Sequence, residues 1–111
     1  MASNNTDAQL EAQSDGLFLL SGELSFSSVP GMLSESQRLL AGHSDSASVI
    51  TIDLQGVGRS DSAGIALLVE WARNAHSKNI AITFVNMPAQ MLALARLSGL
   101  EEVLPLQNPS S

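Results

Sequence analysis

The chain has 111 residues with a formal net charge of −6, and 44% of it is hydrophobic against 14% charged. That length and mixture describe one globular domain with a core of aliphatic residues, and the acidic balance disfavours nucleic acid or an anionic membrane surface as partners. It contains no cysteine, which excludes a disulfide framework and a thiolate metal site.

The chain opens MASNNTDAQLEAQSDG, polar and acidic, with neither the basic nor the apolar segment of a targeting signal. No apolar run approaches the ~18 residues that span a bilayer. Residues 1–7 and 107–111 read as frayed ends around an ordered core of about 8–106, and 1–111 reads as a single domain. Ala8 to Gln13 and Gly16 to Ser21 are strand candidates joined by a turn at Ser14-Asp15. The serine-rich stretch Ser25-Phe26-Ser27-Ser28 leads into a helix over Val29 to Ala41. Val29, Met32, Leu33, Leu39 and Leu40 lie near helical spacing, Pro30 suits the first turn and Gly42 can close it.

Ser48 to Leu54 is β-branched and almost continuously apolar, the pattern of a strand covered on both faces. Ser62 to Lys78 has a helical stripe of Ile65, Leu68, Val69 and Ala72. Ile80 to Val85 reads as another buried strand. Pro88 opens a helix through Ser98 with Met91, Leu94 and Ala95 inward, and Ser98-Gly99-Leu100 matches a glycine stop with an apolar clasp. Val103-Leu104 either adds a short strand or packs down. The order β-β-α-β-α-β-α predicts an α/β domain, a small mixed central sheet of about four to five strands flanked by three to four helices.

Between the third strand and its helix stands GVGRSDSAG, Gly56 to Gly64. A phosphate loop needs a lysine after its last glycine, and here Ile65 follows Gly64. The dinucleotide fingerprint fails at Asp61, whose charge would oppose a pyrophosphate. A serine nucleophile needs a base within ~3 Å. His76 lies fourteen positions from Ser62 on the same helix, ~21 Å at the helical rise, and His43 is expected at the opposite edge. No His or carboxylate pair has metal-ligand spacing. Neither enzymatic activity, metal nor cofactor is therefore expected. Capping chemistry remains: Asp61 caps the helix, Ser62 occupies its first turn, and a phosphate on Ser62 would be tolerated by the helix dipole while adding about two negative charges to the surface. An ordinary capping sequence and a switched docking surface both fit.

At ~100° per residue, Ile65, Leu68, Val69, Ala72 and His76 fall inward, and Ala63, Leu67, Glu70, Trp71, Asn74 and Lys78 fall opposite. Leu67 and Trp71, one turn apart, are then suited to anchor a partner; the other reading is that Trp71 tucks against a neighbouring helix. The strand C-terminal edge gathers Ser25, Ser27, Ser28, Ser60, Asp61, Ser62 and Asn86 as a rim.

Gly22-Glu23-Leu24, Asp53-Leu54 closing a buried strand, Asp61-Ser62-Ala63-Gly64 opening a helix, Asn86-Met87-Pro88 and Leu97-Ser98-Gly99-Leu100 together resemble the STAS domain over about Leu10 to Leu106. In the anti-sigma factor antagonists of that family a D-S-[ST]-G loop carries a serine phosphorylated by a partner kinase. By position that candidate phosphosite is Ser62, with Ala63 and Ser25 departing from the antagonist pattern. The run Asp61 to Trp71 and the ending Leu100 to Pro105 look more like the MlaB-type members. The resemblance implies a non-enzymatic adaptor that binds the ATPase subunit (MlaF-like) of a phospholipid ABC transporter, alongside its permease. Such a protein would be cytoplasmic and peripheral to the inner membrane through its partner. The alternative it implies is an anti-sigma factor antagonist meeting a serine kinase or an anti-sigma factor. The expected partner-binding residues are Ser60, Asp61, Ser62, Ala63, Gly64, Leu67, Glu70, Trp71 and Asn74.

Overall fold

A computed structural model describes residues 8–14, 16–41 and 49–107. Asp15 of the first turn, Gly42, His43 and both chain ends lie outside the described residues, as do the side chains of Leu39 and Leu40. Two strands, β1 (Gln9–Ser14) and β2 (Leu17–Leu24), are followed by helix α1 (Val29–Ala41), strand β3 (Val49–Ser60) and helix α2 (Ser62–Ser77). Strand β4 (Ala81–Val85), helix α3 (Ala89–Leu97), a 3-10 turn (Glu101–Val103) and the two-residue strand β5 (Leu106–Gln107) complete the chain.

The five strands form one sheet in sequential order, with β1 antiparallel to β2 and every other pair parallel. The sheet is mixed and α/β, as expected. Side chains alternate across the pleat. Phe18, Ile52 and Phe84 align laterally and are fully buried, with Leu20, Ile50 and Leu54 on the same side. The intervening Leu17, Thr51 and Thr83, also in register, are only half-buried, and Val49 is 63% exposed. The helices therefore cover one face of the sheet. This corrects the expectation that the third and fourth strands are buried on both sides: β-branched residues suit the half-covered pleat as well.

The second correction concerns Gly56 to Ser60. These residues are not a loop but the second half of β3. Its pairing with β2 slips twice, between Leu19 and Ser21 and between Gly22 and Glu23, each time with one extra residue on β3. Each extra residue reverses which side chains face inward, so burial along β3 steps from Ile50, Ile52 and Leu54 to Val57 and then Ser60. Alternation is lost, and the segment reads as a loop. Gly56 is required by close approach, because a Cβ there would stand 2.7 Å from the Ser21 Cβ.

At the other end of the chain, Leu104 packs down into the core and the last strand begins two residues later. Among the described residues, no helix is long and apolar enough to cross a membrane.

Candidate docking site at the strand-to-helix junction

With no loop between them, β3 passes into α2 through one residue, Asp61. Its backbone is extended (φ −105°, ψ −169°) and its Oδ1 accepts the Ala63 N–H at 2.8 Å, the bond that satisfies a free donor of the first helical turn. The second carboxylate oxygen reaches across to the turn before α1 and accepts the Phe26 N–H at 3.3 Å. Meanwhile the Asp61 N–H donates to the Leu24 carbonyl at 3.0 Å. One aspartate thus joins the C-terminal ends of two parallel strands and the start of α2.

Ser60 is held from below. Its N–H donates to Gln90 Oε1 at 3.0 Å and its carbonyl accepts Gln90 Nε2 at 2.8 Å, so the α3 amide completes the strand ladder with a side chain. Its hydroxyl donates to the Asp61 carbonyl at 2.9 Å. Only 2% of Ser60 is exposed; it supports the junction and presents nothing to a partner. Gly64 is buried too: a Cβ there would overlap Ser60 Oγ and lie 2.8 Å from Leu24 Cβ. The glycine lets the first turn of α2 approach both strands.

Ser62, the first helical residue, is exposed, whereas Asp61, Ala63, Glu70 and Asn74 are half-buried. Leu67 and Trp71 are each 1% exposed, and the expectation of an outward Leu67–Trp71 pair is corrected. The buried residues of α2 are Gly64, Ile65, Leu67, Leu68, Trp71 and Ala75. This arc is wider than one stripe, because α2 packs on α1 and α3 as well as on β3 and β4. Trp71 takes the position on the α1 side of the helix, beside Ile50 and Ile82, with Asn74 and Lys78 at the rim of the same recess. His76, expected inward, is exposed.

The serine-rich turn before α1 is ordered by its own side chains. Ser25 N–H donates to Ser28 Oγ at 3.0 Å, and that hydroxyl donates to the Glu23 carbonyl at 2.9 Å. The Ser25 and Ser27 hydroxyls lie 3.0 Å apart. Asn86, grouped with this rim by sequence, instead donates to Asp53 Oδ1 at 3.1 Å. Sequence reasoning missed two residues of the junction, Gln90 and Phe26. Gln90 gives no signal in sequence, because its partner is thirty residues away. Phe26 has one: a large aromatic ring inside a run of serines.

Among the described residues no group of His, Cys, Asp or Glu is placed to hold a metal. Every buried side-chain polar atom there has a hydrogen-bond partner. The junction is a braced corner with Ser62 exposed at the head of α2.

No curated protein matches the sequence. The fold is similar to the anti-sigma factor antagonist SpoIIAA in its unphosphorylated form, at 16% identity and a TM-score of 0.67, over 92% of this chain and 89% of that one. It is similar also to an anti-sigma factor antagonist from Mycobacterium paratuberculosis, at 23% identity and a TM-score of 0.66, over 93% and 86% of the two chains. Part of the SLC26A9 structure is similar at 18% identity and a TM-score of 0.61, 81% of this chain matching 17% of that one. A family model described as "Mlab, STAS domain" matches residues 8–106. The chain belongs to that STAS-domain family.

Proposed function

We propose that this protein is a non-enzymatic adaptor that binds and regulates the ATPase subunit of a phospholipid (Mla-type) ABC transporter maintaining outer-membrane lipid asymmetry. It acts from the cytoplasmic side of the inner membrane, held there by its partner. The observation that carries the reading is the exposed Ser62 at the head of α2, on a corner that Ser60, Asp61 and Gln90 brace with hydrogen bonds. The family description supports the transporter branch.

The geometry of that corner supports docking rather than catalysis. Asp61 is occupied by two backbone donors, and the nearest described histidine, His76, sits at the far end of α2. Among the described residues Ser62 therefore has no histidine placed to activate it. A rigid surface loses little conformational freedom when it binds, which favours affinity from a small patch. Ser62, Ala63 and Glu70 form the contact, with Asn74 at its margin. Ser60, Gly64, Leu67 and Trp71 shape it from beneath.

The second reading is an anti-sigma factor antagonist switched by phosphorylation of Ser62, favoured by the fold neighbours that carry that name. Purification of the tagged chain from a detergent extract of its native cell separates the two. An ABC ATPase arriving with its permease supports the transporter role. A serine kinase or anti-sigma factor without a transporter supports the switch and overturns the first reading.

A further inference from the structure

The turn between β2 and α1 carries a feature that Ser62 does not account for. Phe26 is 76% exposed. Its backbone is nonetheless held: its N–H reaches Asp61 Oδ2 at 3.3 Å, and the neighbouring Ser27 N–H donates to Ser25 Oγ at 3.3 Å. Ser28, bonded to Ser25 N–H and the Glu23 carbonyl, closes the turn behind it. The oxygen that holds Phe26 belongs to the same carboxylate that caps α2, so the Phe26 backbone and the first turn of α2 are positioned from one residue.

An aromatic ring left in water on a fixed backbone is the kind of group that dominates binding when a pocket receives it. Among the described residues three other large apolar side chains are exposed, Val49, Leu97 and Val103. None of them has its backbone tied to the α2 cap by a side chain. Leu97 lies at the far end of α3 from Gln90, about 10 Å along the helix axis from the junction. The surroundings of Phe26 are acidic on balance, with exposed Glu23 and half-buried Asp61 against exposed Arg59, on a chain of net charge −6.

From this placement we infer that Phe26 is an aromatic anchor of the same docking surface as Ser62, entering an apolar pocket with a basic rim on the ATPase partner. The inference rests on the docking role proposed above and names a residue and a pocket chemistry that the role leaves open.

The test is calorimetric titration of the full chain into the purified ATPase subunit, with melting curves for each variant. Phe26→Ala is expected to weaken binding by about tenfold or more, with Phe26→Tyr near wild type and Leu97→Ala unchanged as the control. The melting temperature of Phe26→Ala should stay at the wild-type value, since the ring is in solvent. If Phe26→Ala binds like wild type while Ser62→Asp binds weakly, Phe26 is not an anchor and the docking role survives. If the wild-type chain does not bind the ATPase, the docking role fails and takes the anchor with it. A Phe26→Ala chain that turns a dimer into a monomer on gel filtration assigns the ring to a second copy and overturns the proposal. Loss of binding to phosphatidylglycerol vesicles, with ATPase affinity retained, overturns it in favour of a membrane.

Discussion

The first and third turns of α2 solve opposite problems. At the first turn, Asp61, Ser60 and Gln90 satisfy one another and leave Ser62 in solvent. At the third, Trp71 is 1% exposed between helices and sheet. The cap is built from directed hydrogen bonds, one local to the helix start and others with Leu24, Phe26 and the Gln90 amide of α3. The third turn is built around a buried ring packed beside α1, β3 and β4. The cap is therefore the part of α2 open to the proposed partner, and the tryptophan belongs to stability.

That division can be broken most forcefully at Trp71. Trp71→Ala should cost about 3–5 kcal/mol of folding stability, measured by denaturant unfolding, with the affinity of the remaining folded protein unchanged. A variant that folds normally and binds weakly would return Trp71 to the interface. Gly64→Ala comes next, because its Cβ would overlap Ser60 Oγ and crowd Leu24. A loss of about 1–3 kcal/mol is expected from overpacking, and a melting temperature equal to wild type would mean the first turn of α2 sits farther from the strands. Asp61→Ala removes the cap and should cost about 1 kcal/mol. It should also release the Phe26 turn, visible as faster amide exchange at Phe26 and Ala63. Smallest in stability is Ser62→Asp, within about 0.5 kcal/mol of wild type as an exposed substitution.

The same contrast explains what could be read from the sequence. Asp61 capping and Ser62 in the first turn were legible because N-caps are local, set by residues one to three apart. The β-β-α-β-α-β-α order was legible because aliphatic runs and Gly or Pro punctuation are local as well. Helical periodicity puts Trp71 on the outer face because it allows for a single buried stripe, whereas α2 is covered by two helices and the sheet. With contacts on three sides, Leu67 and Trp71 are buried as fully as Ile65 and Leu68. The strand through Gly56 to Ser60 was hidden by its two bulges, each of which reverses the period-two signal. Gln90 could not be found at all, since only the folded sheet brings its amide to Ser60.

The most direct measurement of the central claim is the affinity of Ser62→Asp for the ATPase subunit, by titration calorimetry against wild type at equal folded concentration. If the α2 cap is the docking surface, a bulkier carboxylate must be desolvated where the serine hydroxyl packs, which should weaken binding by about tenfold or more while the protein stays folded. Equal affinity for the two chains would remove Ser62 from the interface and contradict the assignment of the partner surface to the cap.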